Sequence, residues 1–73
     1  MATCEVKADV TGSVWKIVTA IGQKVDAGDT IMIVESMKME IPVIAEEGGT
    51  IREFRIAEGD SVAEGQTVAI LET

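Results

Sequence analysis

Shifted by 37 positions, the distance from Gly12 to Gly49, the sequence falls on itself without a gap. Gly22 lands on Gly59, Val25 on Val62, Gly28 on Gly65, Thr30 on Thr67, Ile33 on Ile70 and Glu35 on Glu72. Val6 lands on Val43 and Ala8 on Ala45. Where identity lapses the apolar class persists, at Val14/Ile51, Ile17/Phe54, Ile31/Val68 and Val34/Leu71. Two copies are too few for a solenoid, which needs about three or more. The repeat instead predicts one domain over residues 1–73, with halves of about 2–36 and 39–73 related by a pseudo-twofold axis.

Within each half the periodicity is that of strands. Cys4, Val6 and Ala8 alternate with Glu5, Lys7 and Asp9, as in a half-buried strand. Ser13–Thr19, Thr30–Ser36, Met39–Val43, Gly49–Ile56 and Thr67–Glu72 are rich in branched or alternating apolar residues, and Val25 and Val62 stand alone between glycines. No segment has a helical period. Short strands with frequent turn residues predict an all-β fold, a flattened β-barrel closed by the two halves. The glycines of the repeat read as tight corners, because no phosphate-cradling glycine motif accompanies them. Pro42 cannot donate to a ladder, which predicts an edge position for its strand.

Composition narrows what can hold such a small fold together. A chain of this size buries only about 60–65% of the surface its unfolded form exposes. Cys4 is the single cysteine and there is no histidine, so neither an internal disulfide nor a zinc site is available. Aliphatic packing must serve, with Met32 in the core, Cys4 as a small core residue and Trp15 expected as a packing anchor. The formal net charge is −7, from 13 acidic and 6 basic residues. Nucleic acid and anionic membranes need a cationic footprint, so both are excluded as partners. No apolar run approaches the roughly 20 residues of a membrane-spanning helix. Residues 4–7 already read as strand rather than as a leader, and with the unpaired cysteine this predicts a cytoplasmic protein.

The stretch Glu35-Ser36-Met37-Lys38-Met39-Glu40 joins the two halves. It must reverse the chain, yet Met-Lys lacks the positive-φ preference of the Asn-Gly or Asp-Gly pairs that favour tight hairpins. It also exposes two large apolar side chains beside a lysine. A place where local preference is overruled is a candidate functional site. Under the pseudo-twofold, the counterpart of this turn is the gap between the chain termini. Lys38 is therefore expected at one end of the domain, with both termini at the other.

The remaining residues carry no catalytic constellation. With no histidine there is no Ser-His or Cys-His pair, and the carboxylates read as solvated surface. A lysine at a hairpin tip ordinarily just solubilises it, but Met37 and Met39 do nothing for solubility. Methionine is flexible and polarisable, suited to an adaptable recognition surface. The tip thus reads as a handle for another enzyme, with Lys38 as the residue modified. A solvated primary amine is almost wholly protonated near neutrality, so that enzyme must supply the deprotonation and an activated acyl donor.

Glu35-Ser36-Met37-Lys38-Met39 resembles the E-[AS]-M-K-M motif of biotinyl domains, the biotin carboxyl carriers of biotin-dependent carboxylases. The resemblance covers essentially the whole chain. Gly12-Ser13-Val14 resembles the family's opening strand, Val25–Asp29 and Val62–Gln66 resemble its repeated V-x-x-G-[DQ] turns, and Lys38 stands as far from Thr73 as the family's lysine typically does from its end. Ala8-Asp9-Val10-Thr11-Gly12 departs from the common A-P-M-P-G, and no inserted "thumb" is present. The resemblance implies a barrel-sandwich hybrid of two four-stranded antiparallel sheets. It implies biotin in amide linkage to Lys38, placed there by a biotin protein ligase that reads Met37 and Met39. Glu35, by the same resemblance, keeps other lysine-modifying enzymes away. The biotin then serves a biotin carboxylase and a carboxyltransferase, and the chain itself is not an enzyme. Two other readings stand beside this one. A lipoyl carrier, or a dual biotin/lipoyl acceptor, shares the fold but usually has Asp before the lysine and Ala after it. An unmodified structural hybrid-barrel module needs no lysine at all.

Overall fold

The computed structural model describes residues 2–73. Eight strands follow one another: β1 (Thr3–Lys7), β2 (Gly12–Ile17), β3 (Lys24–Val25), β4 (Thr30–Ser36), β5 (Met39–Ile44), β6 (Gly49–Phe54), β7 (Ser61–Val62) and β8 (Thr67–Glu72). They form two four-stranded antiparallel sheets, the first in the order β1-β8-β6-β3 and the second in the order β5-β4-β2-β7. Each sheet takes two strands from each half of the sequence. Replacing every strand by its counterpart in the other half turns one order into the other, so the repeat is expressed as a relation between sheets. The register obeys it as well: Val14↔Val34 and Lys16↔Ile33 recur as Ile51↔Leu71 and Glu53↔Ile70.

The core lies between the sheets and is filled by the repeat's own pairs. Val6 and Val43, Val14 and Ile51, Val25 and Val62, Ile31 and Val68, Val34 and Leu71 are all buried. Ala8 and Ala45, just beyond β1 and β5, are buried too. Each aliphatic side chain of this size contributes roughly 1.5–3 kcal/mol on full burial. Among the described residues no polar side chain is buried, so that gain is not offset by desolvated polar groups.

Four turns of one construction connect the sheets. In each, a glycine with φ between 85° and 94° (Gly22, Gly28, Gly59 or Gly65) takes a conformation that side chains resist. The next residue, Gln23, Asp29, Asp60 or Gln66, donates its N–H to the carbonyl three positions back, at 3.0–3.1 Å. Its side-chain oxygen then accepts the N–H of that same earlier residue, at 2.8–3.1 Å. The Asp and Gln after each glycine are thus turn residues, and their backbone partners are satisfied without a longer loop.

Pro42 lies on β5, an edge strand, where a missing donor costs no ladder bond. Strands β2 and β6 end at Ile17 and Phe54, two residues earlier than their apolar runs, because the chain there leaves one sheet for the other. Trp15 is not a core anchor: it is 49% exposed. Val14 points inward, so alternation turns Trp15 outward, and a bulge between Val14 and Lys16 keeps Lys16 outward too and returns Ile17 toward the core. Cys4 is half-buried and packs against the core from β1. Replacing Leu71 by Ala should therefore cost about 2–5 kcal/mol in urea unfolding, whereas Trp15→Ala should cost no more than about 1 kcal/mol despite its size. The reverse ranking would contradict this placement of the core.

Candidate functional site: the Met37–Lys38 hairpin tip

Strands β4 and β5 pair from Thr30↔Ile44 to Ser36↔Met39, which leaves Met37 and Lys38 as a two-residue loop. Their φ angles are 52° and 64°, and in the described chain they are the only non-glycine residues with positive φ. Positive φ at both central positions is the signature of a type I′ turn, whose twist matches that of the flanking strands. The hairpin geometry thus imposes on Met and Lys a backbone that Asn-Gly would adopt readily. Each left-handed residue costs about 1 kcal/mol or more. Neither is branched at Cβ, which keeps the conformation accessible.

The stem below the tip is held from the side. Ser36 donates its hydroxyl to the Thr11 carbonyl at 2.8 Å, and the Thr11 Oγ1 accepts the Glu64 N–H at 3.1 Å. Gly12 lies so close to β4 that a Cβ there would meet the Glu35 carbonyl oxygen at 2.3 Å. This is the close approach that requires glycine at position 12. The close approach recurs where Gly49 abuts the Glu72 carbonyl, but the hydroxyl contact does not: Thr73 Oγ1 donates to the Ala2 carbonyl at 3.3 Å, and the Thr73 N–H donates to the same carbonyl at 2.9 Å. The Ser36–Thr11–Glu64 chain of bonds also orients the tip. Glu64 precedes the start of β8, while Ala2 and Thr73 lie beyond its end, six strand residues or about 20 Å away. Lys38 and the Ala2–Thr73 pair thus stand at opposite ends of a body 36 Å long and 17 Å wide.

Around the tip everything is open. Met37 is 92% and Met39 61% exposed, and Lys38, Glu35 and Glu40 are exposed as well. Glu35 and Glu40 face each other across the hairpin, a like-charge pair that destabilises the stem slightly. The ion pairs among the described residues, Arg52–Glu72 and Arg55–Glu53, lie at the first sheet, and Lys38 enters neither. One surface groove is lined by residues including Cys4, Asp9, Ile44 and Glu64 and another by Glu5, Arg55 and Ile70; neither includes the tip. Among the described residues no acidic or cysteine cluster could hold a metal ion.

The structure therefore brings Met37, Lys38, Met39 and the Glu35–Glu40 pair into one projecting feature. What it offers chemically is a single exposed amine on a flexible four-carbon stem, outside both grooves and in no ion pair, with the exposed Glu35 and Glu40 carboxylates at the stem below it. Ser36, Thr11 and Gly12 hold the stem, a role the sequence did not assign. The signal available for it was the glycine shared at 12 and 49. Replacing Met37-Lys38 by Asn-Gly should raise the unfolding free energy by about 1–2 kcal/mol. A thermal unfolding midpoint unchanged or lowered in that variant would show that the turn carries no strain.

Residues 2–71 match the biotin/lipoyl family described as "Biotin-requiring enzyme". The chain is 38% identical over 63 residues to the biotin/lipoyl attachment protein of Bacillus subtilis, an alignment covering 86% of each. It is 34% identical over 67 residues to the biotinylated protein TB7.3 homolog of Mycobacterium leprae, covering 92% of this chain and 94% of that one. Among solved structures, the Kluyveromyces lactis urea carboxylase matches with a TM-score of 0.93 and 35% identity. That alignment covers 99% of this chain but spans only 6% of the urea carboxylase.

Proposed function

The chain belongs to the biotin/lipoyl-attachment family and is a non-catalytic biotin carrier domain, and from that premise we propose that Lys38 is the residue to which biotin is joined. The observation that carries this reading is the placement of Lys38 at a strained two-residue tip between two exposed methionines. An enzyme that must bring the amine to an activated acyl group needs a residue it can approach from several sides, on a backbone that does not move. The clamp at Ser36, Thr11 and Gly12 supplies the fixed backbone. The turn supplies the projection.

In amide formation the Lys38 amine gives up protons, its nitrogen bonds to the biotinyl carbonyl, and the bond from that carbonyl to its activating group breaks. The activated donor comes from a biotin protein ligase, and so does the proton acceptor, because the Glu35 and Glu40 carboxylates lie on the stem and form no ion pair with Lys38. Met37 and Met39 are the surface the ligase reads. Glu35, with Glu40, gives the tip an acidic collar that deters other lysine-modifying enzymes. When attached, biotin supplies the ring that carries carboxylate between a biotin carboxylase and a carboxyltransferase. The lysine stem and biotin chain together reach about a dozen ångströms. The arm can thus enter a partner's site while the domain stays folded outside it. Attachment removes one positive charge from a chain already at −7. The single free cysteine fits residence in the cytoplasm.

Co-expression with a biotin protein ligase tests the assignment. Intact mass should show one biotinyl group on the wild-type domain and none on Lys38→Ala, and streptavidin should capture only the former. Equal labelling of both would remove Lys38 from the site. Met37→Asp combined with Met39→Ala should lower biotin loading and favour a lipoate-attaching enzyme, and unchanged selectivity would remove the role given to the methionines.

A further inference from the structure

The thioethers of the described chain divide between core and tip. Met32 lies on β4 at 0% exposure, within the aliphatic core. Met37 and Met39 are 92% and 61% exposed, and they flank Lys38 on either side. Under the repeat Met39 corresponds to Ala2, and Met37 has no counterpart in the second half. The fold therefore does not require a long apolar side chain at either place.

Exposure decides what each sulfur can react with. A thioether is oxidised by a peroxide without first losing a proton, whereas a thiol reacts as its thiolate. The sulfur lone pair attacks one peroxide oxygen, a sulfur–oxygen bond forms, and the O–O bond breaks. With hydrogen peroxide the products are methionine sulfoxide and water; the sulfur is oxidised and the peroxide reduced. Met37 and Met39 lie outside both grooves, open to such a molecule. Met32 can be reached only by opening the core, and Cys4 is half-buried on β1.

The product presents a different surface. A sulfoxide is polar and chiral where the thioether was apolar. Pressed against an apolar surface that fits methionine, its oxygen would be a buried polar group without a partner. On the carrier reading given above, the enzyme that meets this tip with the amine still free is the ligase, so the change falls on loading. We propose that Met37 and Met39 are a reversible oxidation site whose sulfoxides close Lys38 to biotin attachment. Both lie outside the core, so the oxidised domain stays folded and can be returned to use. A thiol-dependent sulfoxide reductase reverses the step: two thiols become a disulfide, and the sulfoxide oxygen leaves as water.

The test starts from the domain without biotin. It is treated with hydrogen peroxide, the excess is destroyed with catalase, and peptide mapping locates the added oxygen. Met37 and Met39 should each gain one, with Met32 and the thermal unfolding midpoint unchanged. Biotin transfer by a purified biotin protein ligase should fall about tenfold or more in kcat/KM. Reductases for both sulfoxide epimers should restore it. Met37→Leu with Met39→Leu keeps volume and apolarity without an oxidisable sulfur. That variant retains Met1, Met32 and Cys4, and peroxide should not change its loading. Sulfoxides at Met37 and Met39 with unchanged loading would overturn the switch and leave the carrier reading intact. An equal loss in the leucine variant, or a loss that tracks oxygen on Met32 and a lowered midpoint, would place the effect elsewhere in the chain and overturn the switch too. If the leucine variant is refused even untreated, the reductases decide: recovery of the wild type supports the switch and its absence overturns it. An untreated wild-type domain that takes no biotin would overturn the carrier reading and this one with it.

Discussion

Val6, Val14, Val25 and Val34, with their counterparts Val43, Ile51, Val62 and Leu71, form the aliphatic layer that holds the two sheets together. Every strand contributes at least one of these side chains. With no disulfide, no metal cluster among the described residues and few aromatics, this layer is the main source of stability. Because each sheet draws strands from both halves, neither half can bury its apolar face alone. The halves must therefore fold together, and the chain must cross between sheets several times over short distances. The four glycine turns with their Asp and Gln caps make those crossings without leaving backbone groups unpaired.

That rigidity accounts for the tip. Met37 and Lys38 hold left-handed backbone angles because the β4–β5 ladder, the Ser36–Thr11 bond and the close packing of Gly12 leave no other closure. Residues better suited to the turn would stabilise the hairpin and remove the amine. Local strain is thus retained at the residue proposed to carry biotin and offset by the packing below it. The acidic pair at Glu35 and Glu40 works in the same direction, a small destabilisation kept beside the site.

The same symmetry that builds the core leaves the outer surfaces free to differ. One sheet carries engaged charges and the other carries Trp15, Pro42 and Ile44 at the equivalent places. Inward positions are constrained twice over, by volume and by the repeat. Outward positions are constrained less: Ile33/Ile70 and Glu35/Glu72 still follow the repeat, whereas Trp15/Arg52, Pro42/Glu5 and Ile44/Lys7 do not.

Much of this was legible in the chain itself. The 37-residue offset, the alternation within each run and the isolated Val25 and Val62 define eight strands, because a strand that buries one face must place apolar side chains at every second residue. The Met-Lys joint stands out for the same reason, as a turn built from residues that local preference would not choose. Tertiary structure alone decided three further matters. It turned Trp15 to solvent, because Val14 beside it points into the core and strand alternation sends its neighbour outward whatever its size. It set Gly12 against the Glu35 carbonyl and Ser36 on Thr11, contacts between residues more than twenty positions apart that no local pattern encodes. And it gathered Trp15, Ile33, Pro42 and Ile44 onto one face, because neighbours across a sheet are fixed by register, which a linear sequence does not display.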